Sequence, residues 1–306
     1  MWSVPVMLVL LVSASFLGAG DATGAGDHLG VVRHYIPGDL EAKASDLEAD
    51  ASMGWAMVTR GDDGVILMDL GTGEVKEVVI PSRAWVATVE TGNDWLMATT
   101  VSGRLHGIDE VQGKVTWSKT VLDGTLRVTA VNEAEDRMAF VGFDQDFRMV
   151  VSVLILGELA EISSWSRDIP EEMAFTTPTC AAWLPRGVHS NASDTLLVGT
   201  NEGQVFAWQG SGDATTVVDL EEEVVGMQWD GISFKLLVAT RKGRVYMVDV
   251  GGRYVASQFS TDFVAPRSLV SFDYHPASRR MAAGGSDGQI ELWDMSPLHR
   301  TQTIRF

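Results

Sequence analysis

Cysteine is almost absent: Cys180 is the only one in 306 residues, so no disulfide can form within the chain and stability has to come from packing. Such a chain suits a reducing compartment, the cytosol or the nucleus. Basic residues are also in deficit. The 23 Lys and Arg against 41 Asp and Glu give a net charge of −18, which repels the phosphate backbone on which non-specific nucleic-acid affinity depends and disfavours an anionic membrane surface. No apolar run reaches the roughly 20 residues that a membrane-crossing helix needs, so no membrane insertion is expected. The sequence carries no phosphate loop, no dinucleotide fingerprint and no Gly-x-Ser-x-Gly elbow. Its histidines, His28, His34, His106, His189, His275 and His299, form no His-x-x-x-His or Cys-His pattern. No cofactor, metal or small-molecule substrate is therefore expected, and the chain is not expected to be an enzyme. Cys180, beside Ala181, Ala182 and Trp183, fits a small buried hydrophobe better than a nucleophile.

Hydrophobic residues make up 45% of the chain and proline is scarce, so the sequence can bury a real core. A unit recurs along it: an apolar run, a tight polar turn with Gly, then an alternating strand that often ends in Asp. The clearest copy is 280–294 (RMAAGGSDGQIELWD), whose Asp287-Gly288 turn suits a hairpin. Further copies lie at 236–249 (LLVATRKGRVYMVD), 196–208 (LLVGTNEGQVFAW), 95–109 (WLMATTVSGRLHGID) and 55–69 (WAMVTRGDDGVILMD), with a weaker one from Met138 to Val153. Their turns are mostly about 40 residues apart, the period of a four-stranded propeller blade. The longer interval before Gly203 holds a surface insertion, Pro185 to Asp194. Inner strands upstream of two hairpins are readable as well, from Leu269 to Tyr274 and from Val224 to Trp229.

The N-terminal stretch has two readings. Residues 1–44 can supply a first blade, with Val6 to Val12 and Leu29 to Tyr35 as strands. Alternatively, the uncharged run Val4 to Leu17 followed by Gly18-Ala19-Gly20 is a cleaved signal without a basic n-region. The first reading gives seven blades, with residues 295–306 as the strand that closes the ring against the first blade and removes free edges. The second gives a secreted ring of six blades, in which the sequon Asn191-Ala192-Ser193 would be usable.

The repeats resemble those of the WD-repeat propeller family, most clearly from Phe272 to Asp294 and more loosely over nearly the whole chain. Trp293-Asp294 looks like the signature dipeptide, and Val248-Asp249 and Met68-Asp69 look like eroded versions of it. The resemblance implies an all-β fold, a single seven-bladed propeller of four-stranded antiparallel blades over residues 1–306. The family's structural hydrogen-bond tetrad cannot be complete in any blade, since no Gly-His dipeptide precedes an inner strand and His275 lies after one; Ser286, Asp287 and Trp293 could supply three of its members. One segment, Gly103 to Ser118, instead resembles a quinoprotein-type propeller repeat through Gly113 and Trp117. Its relatives include quinone-cofactor oxidoreductases and assembly factors, so a secreted propeller of that kind is the competing reading.

In WD-repeat propellers, partners commonly dock where loops enter the inner strands, and here those loops carry Arg83, Trp85, Arg127, Glu222, Phe263 and Arg267. Arg and Trp are also enriched among interface hot spots. The resemblance thus implies a non-catalytic scaffold for other proteins in a larger assembly, and the acidic balance favours a basic partner surface. Several features have blander readings. Glu221-Glu222-Glu223 suits a solvated interblade loop, Asp62-Asp63 and Asp144-Gln145-Asp146 suit turns, and Trp208 and Trp293 suit blade packing.

Overall fold

The computed structural model describes residues 47–304, apart from 51–54, 60–63, 70–71, 73, 82–85, 93–94, 133, 135, 157–161, 167–175, 186–194, 209–213, 264–266 and 277. They form six four-stranded sheets, each antiparallel with its strands adjacent in chain order. The first sheet is β1 (Leu47–Asp50), β2 (Trp55–Thr59), β3 (Gly64–Asp69) and β4 (Val75–Val79). The second is β5 (Val86–Gly92), β6 (Trp95–Thr100), β7 (Arg104–Asp109) and β8 (Lys114–Thr120). The third is β9 (Gly124–Val131), β10 (Arg137–Asp144), β11 (Met149–Ile155) and β12 (Ile162–Ser166). The fourth is β13 (Pro178–Leu184), β14 (Thr195–Thr200), β15 (Gln204–Trp208) and β16 (Thr215–Asp219). The fifth is β17 (Val224–Asp230), β18 (Lys235–Thr240), β19 (Arg244–Asp249) and β20 (Tyr254–Ser260). The sixth is β21 (Leu269–His275), β22 (Arg280–Gly285), β23 (Ile290–Met295) and β24 (Leu298–Ile304).

The chain divides into two compact units, Met1–Thr120 and Val121–Phe306. In the first, β1 lies against β5; in the second, β9 lies against β13, β13 against β17, and β17 against β21. Within each unit the sheets therefore stack face to face with their first strands side by side, as blades do in a β-propeller. No described helix is long and apolar enough to cross a membrane.

Every copy of the repeat is the hairpin of second and third strands, and the stacking explains its pattern. A second strand such as β14 or β18 is covered on both faces, so it reads as a continuous apolar run rather than an alternation. In β18, Leu236 and Val238 join a core shared with the fourth sheet, while Leu237 and Ala239 join one shared with the sixth. Likewise Leu196 and Val198 of β14 face the third sheet and Leu197 faces the fifth. Each of these Leu and Val side chains contributes about 1.5–3 kcal/mol by leaving water. Fourth strands are covered less, and β20 is exposed at nearly every position. Polar bonds also join neighbouring sheets: the Trp183 indole donates to the Ala130 carbonyl at 3.0 Å, and the Thr179 hydroxyl to that of Val224 at 2.6 Å.

The hairpin turns share one design. The N–H groups of Gly103, Gly203, Gly243 and Gly288 donate to the carbonyls of Thr100, Thr200, Thr240 and Gly285, and each of these glycines has a positive φ between 73° and 94°. In the third sheet Phe147 occupies that place at φ 60°, with its side chain almost wholly in solvent. The hydroxyls of Thr100 and Thr200 accept the N–H of Arg104 and Gln204, and the Asp144 carboxylate accepts that of Arg148, which is the turn role expected for that acidic cluster. Asp62 and Asp63 lie outside the described residues.

Three expectations need comment. The three residues that could supply tetrad members do not come together: Ser286 and Asp287 sit in the β22–β23 turn, whereas Trp293 pairs with Met281 far along the hairpin and its indole donates to Glu291 at 2.9 Å. Residues 1–44 lie outside the described residues, and with them the expected first blade or signal, as does the sequon loop. The C-terminal strand β24 hydrogen-bonds to β23 as the fourth strand of the sixth sheet.

Candidate protein-docking edges

Because strands alternate in direction, each sheet of the second unit has two distinct edges. At one lie the turns between second and third strands together with the links that lead into the next sheet. At the other lie the turns between first and second and between third and fourth strands.

The linker edge carries three of the residues that sequence reasoning selected, Glu222, Phe263 and Arg267. Gly203 packs so tightly on the 220–223 link that a Cβ there would lie 2.4 Å from the Glu222 nitrogen. Gly243 packs in the same way on the following link, where a Cβ would lie 2.3 Å from the Phe263 carbonyl oxygen. The linkers are therefore clamped under the turns, and this decides the fate of their side chains. Glu222 is buried. Its carboxylate accepts from the Thr240 hydroxyl at 2.7 Å and from Arg244 at 2.5 Å, with Lys242 at 3.6 Å. Glu223 holds the Arg241 guanidinium at two points. Glu291, also buried, receives the Trp293 indole and Arg300, and Arg300 also reaches Asp262. Hydrogen bonds to Glu223 and to Asp262 push the Arg241 and Arg300 guanidinium groups further up, and a bond to Tyr246 together with the Glu222 charge does so for Arg244.

Of the selected residues, Phe263 is fully buried, in the core between the fifth and sixth sheets, and has no surface to offer a partner. Glu222 is likewise inside, so its run of acids is a clamp and not merely a solvated loop. Arg267 is half-buried, 3.7 Å from Asp287. Arg127 is exposed on β9, with its guanidinium 6.0 Å from the centre of the Phe143 ring. Arg83 and Trp85 lie outside the described residues. The structure thus brings Glu222, Phe263 and Arg267 to one edge, but as parts of its framework. Cys180 is half-buried, and loss of solvent pushes its thiol up to about 12, as befits an inert side chain.

The opposite edge holds what sequence reasoning missed. The turn after Asp230 exposes Ile232 and Phe234, and Tyr254 is exposed across the fifth sheet at the start of β20. This turn is not slack. The buried Asp230 carboxylate accepts the Ile232 N–H at 3.1 Å and the Ser233 hydroxyl at 2.5 Å, and Arg279 of the corresponding turn in the sixth sheet lies 3.6 Å away. Burial, with the Asp230 charge nearby, raises the neighbouring Tyr274 phenol above its ordinary value. Phe234 itself stands at φ 54°, a left-handed conformation that a bulky side chain adopts at a cost of about 1–2 kcal/mol. Lys235 donates to Asp249 at 2.7 Å, joining the two turns; this bond raises the lysine and lowers the Asp249 carboxyl. A sequence signal existed: Gly231-Ile232-Ser233-Phe234 places two large apolar residues in a turn, where polar ones are usual.

No protein-family model matches the chain, and no curated protein sequence is recognisably similar to it. Its fold, however, matches a solved structure, the crystal structure of Chaetomium thermophilum Raptor, with a TM-score of 0.67 at 13% identity. The match covers 87% of this chain and 24% of that one, so the chain spans about a quarter of the length of the protein it matches. Raptor contains a WD40 β-propeller, and the likeness supports a β-propeller fold for this chain.

Proposed function

We propose that this protein is a non-catalytic interaction scaffold, a WD-repeat-like propeller that docks a protein partner on the edge bearing Ile232, Phe234 and Tyr254. The observation that carries this reading is the Asp230 turn. A buried carboxylate, a cross-sheet arginine and an unfavourable backbone conformation are all committed to holding two large apolar side chains in solvent. Isolated exposed apolar residues are common on protein surfaces, but a pre-ordered group of them lowers the entropic cost of association. The likeness to Raptor is consistent with such a role through the fold alone, and the acidic balance favours a basic rim on the partner.

The finer architecture belongs to the same proposal: seven blades, with residues 1–44 as the first, in a protein of the cytosol or nucleus acting in a multiprotein complex. A photo-crosslinking residue placed at Phe234, and in parallel at Ser257 on exposed β20, tests the docking edge in the protein's own cells. A defined partner captured from position 234 and not from 257 supports it. Equal capture from both positions, or none from 234, overturns it.

A further inference from the structure

The first unit holds a cavity that the docking proposal does not use. It opens on the same kind of edge, in the second sheet, with a volume of about 240 Å³, and its lining includes Trp95, Ile108, Asp109, Glu110 and Trp117. Ligand sites for drug-sized molecules start at about 300 Å³, so this space suits a single side chain.

Its walls are built rather than incidental. Gly107 pairs with Trp117 across β7 and β8, and a Cβ at Gly107 would lie 2.2 Å from the Trp117 indole. Only glycine lets the ring lie against the strand and form one side of the cavity. Asp109 already accepts the Gln112 N–H at 2.7 Å, which fixes the adjoining turn. The Glu110 carboxylate, by contrast, has no hydrogen bond or ion pair among the described residues, and neither indole N–H has an acceptor there. Two indoles and an uncommitted carboxylate make a site for an organic cation, which gains from the ring faces as well as from the charge.

The same turn already shows this chemistry with the chain's own lysine. Lys76 donates to the Glu110 and Val111 carbonyls, each at 3.2 Å, and its ammonium lies 4.9 Å from the centre of the Trp55 ring. That contact occupies backbone oxygens and a different tryptophan, and leaves the Glu110 side chain unused. The net charge of −18 draws basic segments toward the protein in general.

We infer that the Trp95–Trp117 cavity binds an alkylammonium group, the side chain of a lysine on a basic partner segment. This inference is independent of the docking edge in the second unit, and either can fail alone.

The test uses the full chain with nitrogen-15-labelled tryptophan, titrated with n-butylammonium chloride while the indole N–H resonances are followed by NMR. Trp95 and Trp117, assigned from W95F and W117F spectra, are expected to shift together and saturably in the millimolar range, with the other indoles unmoved. Glu110→Gln keeps the cavity's shape and is expected to weaken binding about threefold. The isosteric alcohol n-butanol is expected to leave both signals in place. The inference is overturned if n-butanol shifts the same signals equally, if E110Q binds as tightly as the parent, or if n-propylguanidinium binds more tightly than n-butylammonium. The last outcome would assign the cavity to arginine.

Discussion

The two edges of the fifth sheet spend their side chains in opposite ways. At the linker edge, charged side chains are held by neighbours: Glu222 by Thr240 and Arg244, Glu223 by Arg241. At the opposite edge the buried Asp230, with the half-buried Arg279 beside it, supports exposed Ile232 and Phe234. Charge on the surface therefore does not mark the proposed docking residues. What distinguishes the two edges is whether the polar network consumes its own surface or holds another surface out.

Substitutions can break each side of that contrast separately. Gly203→Ala has the largest expected effect, because it meets backbone at 2.4 Å as well as an unfavourable φ of 94°. A loss of about 4 kcal/mol in chemical denaturation is expected, with the linker edge as its origin. A loss under about 1 kcal/mol would mean that the turn and link separate easily and that the edge is not a framework.

Acid titration sharpens the contrast by isolating a group that belongs to neither edge. His106 on β7 is fully buried, with Nδ1 2.7 Å from the Ser118 hydroxyl and no partner at Nε2 among the described residues. Burial first, and Arg104 second, lower its pKa from 6.5 to about 4. Between those values the unfolded chain takes up a proton that the folded one refuses. Stability is therefore undiminished above pH 6.5 and declines as pH falls toward 4, by up to about 3 kcal/mol. His106→Gln should flatten that slope over the whole window. An unchanged slope would place the acid sensitivity in the carboxylates of the edges.

Asp230→Ala attacks the opposite edge and should cost about 2 kcal/mol, since it leaves the Ile232 N–H without its acceptor and Arg279 without its partner. Partner capture at position 234 should fall with it. The smallest effect is expected from Phe234→Gly, which removes the left-handed strain and raises stability by roughly 0.5–1 kcal/mol while abolishing docking. A variant that gains stability and still docks would assign Phe234 no role in the interface. Phe147→Gly, a like change at a turn of the third sheet, serves as the control that should gain stability and leave docking intact.

Much of the fold was legible because its repeats are local. The six hairpins each span a dozen or so residues, and their turn glycines at 103, 203, 243 and 288 announce a backbone that other residues rarely adopt. Phe147 escaped this logic, since nothing in its identity signals a positive φ. The candidate site was less legible. Phe263 has the composition of a hot spot, yet the link that carries it is drawn under the Gly243 turn and the ring is absorbed by the core. Glu222 looked solvated in a run of three acids, and only the approach of Thr240 and Arg244 from another strand shows it as a buried clamp.

The sequence by itself determined the class of fold and the strand content, because period, turn chemistry and doubly covered apolar strands are properties of contiguous residues. Which charged groups are consumed and which apolar ones are held out was decided only by the tertiary structure. Those outcomes depend on contacts between sheets, such as Asp230 with Arg279 or Glu222 with Arg244, whose members lie 22 residues apart or more and carry no local signature of one another.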